Sequence, residues 1–131
     1  MKNPIYGSNA MDDVVGKIVM QVTSANLNAT GVKGAVMAPV NGKVVGLGVV
    51  STGDPGAAAN KVHIAINGGT QSTAYANIKN GDAVYEATSA TKFVKIADNN
   101  VIVEGDIIQL KVATATSNAV AGNFVIIIQV D

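Results

Sequence analysis

The sequence predicts an all-β protein, an antiparallel β-sandwich of jelly-roll type with an extended N-terminal arm. Short runs of alternating apolar residues recur along the 131 residues, with turn residues between them. The dipeptide Asn-Gly, which is typical of tight hairpin turns, occurs three times. No window longer than ten residues carries an apolar stripe at helical spacing. Short strands separated by turns favour a sandwich or a barrel.

The elements follow in order along the chain. Residues 1–12 show no strand or helix period and contain Pro4 and Gly7, which predicts an extended arm. No change of composition and no linker divides the remainder, so we predict one β-sandwich domain over residues 13–131. Its predicted strands lie at about 14–23, 32–39, 43–51, 61–67, 72–78, 83–88, 92–97, 101–104, 106–116 and 122–130.

The dipeptide Asn41-Gly42 lies between the apolar runs VKGAVMAPV and KVVGLGVVS. Both residues tolerate the positive φ that a type I′ turn requires. The sequence therefore predicts a hairpin centred on this pair.

The final strand is apolar on both faces. Its residues predicted to line the core are Phe124, Ile126, Ile128 and Val130. Val125 and Ile127 then lie on the opposite face, where a solvated antiparallel sheet carries polar residues. Val45 and Val49 are likewise apolar residues on a strand face where polar residues are expected. Either a second layer of the chain or a neighbouring subunit covers these residues; we favour a homo-oligomer, with Val125 and Ile127 as candidate interface residues.

The composition excludes several classes of function. All nine basic residues are Lys, and without Arg or a Lys cluster we expect no nucleic-acid partner. The absence of Cys excludes disulfides and thiolate catalysis. The longest apolar run, 124–128, is too short for a membrane span, and no secretory signal is visible, so we expect a soluble protein made in the cytoplasm. Charged residues are only 14%, against about 25% in an average domain, which favours a surface partly covered by protein.

Two features resemble catalytic groups. His63 is the only histidine, and by alternation we place it on the polar face of its strand, exposed or at an interface. Glu104 and Asp106 flank Gly105, but sugar-stacking aromatics are scarce and the Gly-Asp step recurs at Gly53 and Gly81, which favours a solvated turn. The alternative that residues near 98–106 bind a structural cation stays open. We predict that the protein is not an enzyme and that it has no catalytic, cofactor-binding or metal-binding residues.

The layout as a whole resembles a known family. The chain is rich in predicted strands and contains no Cys. Its last third contains the turn and strand VIVEGDIIQL at 101–110, the polar loop TATSNAVAG at 114–122 and a last apolar strand. Over residues 13–131 this resembles the jelly-roll capsid decoration (cement) proteins of tailed bacteriophages. Carbohydrate-binding jelly rolls have similar layouts, so such a module, with Tyr75 or Tyr85 as a sugar platform, is the alternative.

The resemblance implies a non-enzymatic virion structural protein. It would sit on the outer surface of the capsid, bind the major capsid protein and stabilise the shell as an oligomer, in this family often a homotrimer. The arm would reach a neighbouring protomer or the capsid surface, which makes Ile5 and Tyr6 further candidate interface residues.

Overall fold

The structure is a computed structural model that describes residues 16–51, 53–56, 60–78, 85–86 and 93–131. The predicted arm at 1–12, with Ile5 and Tyr6, lies outside the described residues. Within the described ranges no residue is helical, so no helix there is able to cross a membrane.

The described residues contain nine strands: β1 (Lys17–Ser24), β2 (Gly31–Met37), β3 (Gly42–Ser51), β4 (Lys61–Ile66), β5 (Tyr85–Glu86), β6 (Val94–Lys95), β7 (Val101–Ile102), β8 (Ile107–Thr114) and β9 (Gly122–Val130). They pair antiparallel in two sheets. Sheet A has the order β1-β9-β3, and the short strands β5, β6 and β7 pair with the free edge of β3. Sheet B has the order β2-β8-β4.

The β-sandwich is confirmed, because one hydrophobic core fills the space between the two sheets. Alternation along each strand selects the residues that enter it. The fully buried side chains include Leu47, Phe124, Ile126 and Ile128 of sheet A and Ile64, Ile108 and Leu110 of sheet B. The predicted jelly roll is a two-sheet arrangement of eight strands. Strands β1 to β4 alternate between the two sheets, which is compatible with that connection, and the jelly roll stays a prediction.

The predicted inward and outward faces are correct for β4, β8 and most of β9, but wrong in part for β3. A β-bulge between Val44 and Gly46 shifts the alternation by one residue. Val49 therefore enters the core, with 3% of its surface exposed, and Val50 points outward with 44% exposed. Val130 at the end of β9 is only half-buried.

The predicted hairpin at Asn41-Gly42 is wrong. Strand β2 pairs with β8 in sheet B, and β3 pairs with β9 in sheet A, so this turn crosses from one sheet to the other. A type I′ geometry is found instead at Asn67-Gly68. Both residues have positive φ, 51° and 73°, and Gly69 N donates to Ile66 O at 2.8 Å.

The predicted strand at 72–78 is also wrong, because side chains replace most of its ladder. The backbone pairs only at isolated points, among them the bridge of Val62 with Ala76 and the bond from Ser72 N to Ile64 O at 2.7 Å. Next to it, the Ser72 hydroxyl accepts a hydrogen bond from Ile64 N at 3.1 Å. Asn60 bonds both the N–H and the carbonyl of Ile78. Such side-chain bonds compete with regular strand pairing.

Candidate functional site

Glu104 and Asp106 lie in a tight turn, as predicted. Asp106 N donates to Val103 O at 3.0 Å, and Gly105 has a φ of 93°. Glycine at the third position of a four-residue turn with positive φ is the type II pattern. The Asp106 carboxylate accepts hydrogen bonds from Val103 N and from the Asn67 side chain, each at 2.9 Å. The backbone bond from Val103, followed by the Asn67 bond, lowers the pKa of Asp106, so its carboxylate stays ionised and ties two turns together.

We expect Gly105→Val to destabilise the fold more than Glu104→Gln affects any property of the protein. No atom lies within 4 Å of a Cβ built at Gly105, so the cost is backbone strain alone, about 1–3 kcal/mol. Glu104 is exposed, so its change is expected to stay within about 0.5 kcal/mol in thermal unfolding. A measurable turnover that Glu104→Gln abolished, with the fold intact, would show that the turn is a catalytic site.

His63 lies on the predicted face of β4, but it is not exposed. Only 6% of its surface is accessible, because the segment 72–75 covers it. Its Nδ1 donates to the carbonyl of Ser72 at 2.6 Å, and its ring lies 5.4 Å from that of Tyr75. A hydrogen-bonded ring held in this way serves to attach the 72–75 segment to sheet B.

Tyr75, a predicted sugar platform, already has partners. Lys61 Nζ lies 4.9 Å from the centroid of its ring, a cation–π contact, and His63 packs at an angle of 47°. The ring is 38% exposed. The side chain of Tyr85 lies outside the described residues, so the second predicted platform stays a prediction.

Two open hollows lie near the turns. One of about 420 Å³ is lined by Ile66, Gly69, Thr70, Asn99, Asn100 and Val101. The other, of about 330 Å³, is lined by Pro39, Val40, Asn41, Glu104, Val130 and Asp131. Neither contains an aromatic side chain or a histidine. Among the described residues, no group of three or more His, Cys, Asp or Glu side chains is placed to hold a metal ion.

The outer surface of sheet A is the best-defined candidate site. We call it the A face and define it by the outward residues of β1, β9, β3 and β6, which strand register places side by side. They are Lys17, Val19, Gln21, Thr23, Asn123, Val125, Ile127, Gln129, Lys43, Gly46, Gly48, Val50 and Lys95. Val19 is 63% exposed and lies directly beside Ile127. The structure therefore places the candidate residues Val125 and Ile127 in a small apolar cluster with Val19 at the centre of the A face.

Glycines keep the centre of the A face flat. Gly46 pairs with Ile127 and Gly48 pairs with Val125 on the β3 side. A Cβ at Gly46 would come within 3.3 Å of the Ile127 side chain. Both glycines are buried, and the Ile127 side chain lies against Gly46, so the missing side chains let neighbouring groups pack closely on the sheet.

The charged residues of β1, β3 and β6 on the A face are all lysines. Lys17 and Lys43 flank Gln129 in one cross-strand row, and Lys95 lies beside Gly46. All three lysines are exposed, and the register of β5 adds one acidic residue to this side of the sheet, Glu86, which pairs with Val50. An excess of lysines beside an apolar centre is suited to a partner that is apolar with acidic groups at its rim.

Alternation along β9 identified Val125 and Ile127, but sequence reasoning missed the rest of the A face. Val19 has the same signal, since it alternates with Ile18 and Met20, which pack on the core. The lysines carried no such signal, because only the register of β1 and β3 with β9 brings Lys17 and Lys43 into one row.

Similarity to known proteins is confined to solved structures. No protein-family model matches the sequence, and no curated protein matches it. The chain is similar to one in the acidic stable capsid structure of Helicobacter pylori bacteriophage KHP30, with 17% identity and a TM-score of 0.47 over 86% of each chain. It is also similar to one in the capsid asymmetric unit of cyanophage Pam1, with 16% identity and a TM-score of 0.36 over 100% of this chain and 93% of that one.

Proposed function

We propose that this protein is a non-enzymatic structural component of a phage virion. It would bind the outer surface of the major capsid shell and stabilise the shell as an oligomer, and a homotrimer is the form predicted from the sequence. The observation that carries the proposal is the A face, an apolar surface with Val19, Val125 and Ile127 at its centre. Apolar surfaces of this kind are typical of protein–protein contacts.

The A face fits the contact between subunits of the oligomer. A two-faced strand such as β9 buries Phe124, Ile126 and Ile128 within its own fold and leaves Val125 and Ile127 for a neighbour. Further contacts to the shell would come from the arm, where Ile5 and Tyr6 are the apolar candidates. The protein would be made in the host cytoplasm and act at the capsid surface.

Stabilisation of the shell would follow from mass action. A partner that binds the assembled shell and not its dissociated parts lowers the free energy of the assembled form. An oligomer makes several shell contacts at once, so each further contact forms at a high effective concentration. A weak contact per subunit is then sufficient for lasting attachment.

The test is a pair of matched valine variants. Val19→Glu places a carboxylate on the A face, and Val32→Glu places one on an exposed valine of the edge strand of sheet B. We expect the wild-type protein and Val32→Glu to form oligomers in solution and to co-sediment with expanded empty heads. Val19→Glu is expected to be monomeric and to bind heads at least about tenfold more weakly.

Two results would contradict the proposal. One is a wild-type protein that fails to sediment with expanded heads while it binds a glycan on an array. The other is a Val19→Glu variant that assembles and binds heads as the wild type does. Thermal unfolding of each variant serves as the control for folding.

A further inference from the structure

We infer that the partner of the A face is a second copy of this chain, and that the A face of one copy contacts the acidic end of the next. This inference rests on the proposed oligomer and specifies its contact. The acidic end is defined by the turns 37–41 and 103–106 together with Asp131. Backbone bonds join these segments: Ala38 N donates to Asp106 O at 2.7 Å, and Asp131 N donates to Asn41 O at 3.1 Å.

The acidic end has the chemistry that the A face lacks. Its charged side chains are Glu104, Asp106 and Asp131, and none of its residues is Lys. It also presents two exposed apolar side chains, Met37 at 60% and Val103 at 53%. An apolar surface with carboxylates at its rim is the complement of an apolar surface with lysines at its rim.

Contact between two A faces is less favourable. Each A face has three exposed lysines, and its register adds one acidic residue, Glu86, so two such faces bring six lysines and two glutamates into one contact, an excess of four positive charges. Like charges in a contact oppose association. A contact between the A face and the acidic end pairs Lys with Asp and Glu instead.

The two surfaces lie at different places on the molecule, so their contact is heterologous. The row that contains Lys17 and Lys43 is the row of the A face nearest the acidic end, because β9 runs from there to Val130 and Asp131. The A face points away from the sheet, whereas the acidic end points along the strands. A contact between two different surfaces is heterologous, and it generates a ring when the rotation closes.

Charge reversal on each surface tests the inference. The face variant carries Lys17→Glu and Lys43→Glu, and the end variant carries Glu104→Lys and Asp131→Lys; all four positions are exposed. We expect each variant alone to be largely monomeric in sedimentation or light scattering, with at least about a tenfold weaker association. A mixture of the two is expected to associate again, because each charge-reversed surface then meets its complement.

Other contacts give different results. If two A faces contact each other, the end variant assembles as the wild type does, and a mixture of the two variants associates no more strongly than the end variant alone. That result overturns the inference. Recovery in the mixture is specific to the heterologous contact. Lys111→Glu, on the outer face of sheet B, is the control for a change of net charge and is expected to assemble normally.

The outcome is independent of shell binding. A protein that assembles through these two surfaces but does not sediment with heads would refute the capsid role and leave the contact intact. A wild-type protein that sediments with heads while both variants assemble normally would refute the contact and leave the capsid role intact. Association that weakens as NaCl is raised is a second expected signature, because salt screens exposed charges.

Discussion

Replacement of Gly42 by alanine is expected to destabilise the protein by about 3 kcal/mol or more. Gly42 begins β3 and pairs on one side with Val130 and on the other with Ile102. A Cβ at this position would lie 2.1 Å from the backbone carbonyl oxygen of Gln129. No rotation of a side chain relieves a clash with backbone, so the pairing of β3 with β9 must open at this end.

Urea or thermal unfolding measures the effect. Each kcal/mol is expected to lower the Tm by roughly 3–5 °C in a chain of this size. Gly68→Ala is the matched control, since no atom lies within 4 Å of its Cβ and only the φ of 73° opposes the change. The backbone clash would be disproved if Gly42→Ala and Gly68→Ala unfolded at the same temperature.

Replacement of Phe124 by alanine is expected to cost about 3–5 kcal/mol, because it leaves a large cavity in the core. Phe124 is fully buried and is the largest fully buried side chain among the described residues. It lies in β9, the central strand of the three long strands of sheet A, so the cavity adjoins both β1 and β3. Strand β9 is hydrogen-bonded to β1 on one side and to β3 on the other, so it has little freedom to move into the space.

The neighbouring residue provides the matched control for this prediction. Val125→Ala removes side-chain atoms from the A face and leaves the core unchanged, so we expect a loss of stability below about 1 kcal/mol. Its expected effect is on association, measured by sedimentation. If Val125→Ala unfolds as readily as Phe124→Ala, then Val125 belongs to the core and the A face is not a free surface.

Local sequence patterns were sufficient to predict most of the fold. Alternation correctly separated Ile108, Leu110 and Val112 from their outward neighbours in β8. It did the same for Phe124 and Val125 in β9, which is how Val125 and Ile127 of the A face were predicted from the sequence. Positive φ at Gly105 confirmed the turn predicted from Glu104 and Asp106.

The sequence-based predictions were wrong where one local pattern is compatible with more than one structure. Asn41-Gly42 has the residues of a hairpin turn, but it joins two different sheets. The bulge at β3 reversed the direction of Val49, and Gly46 beside it is the only local sign, since glycine within a strand is compatible with a bulge without specifying one. His63 has the spacing of an exposed residue, but a segment that begins nine residues later covers it. In each case, a distant part of the chain decided the result.

The sequence by itself determined that the chain forms strands, which residues of the longer strands point the same way, and that Val125 and Ile127 lack an inward position. Those properties depend on neighbours two residues apart, so periodicity records them. Only the tertiary structure decided which strands pair and therefore which charges share a surface. Thr23 bonds to Asn123 across a separation of 100 residues. Backbone donors and acceptors are the same in every strand, so local sequence does not specify their partners. The A face and the acidic end exist because packing of the core selected one register.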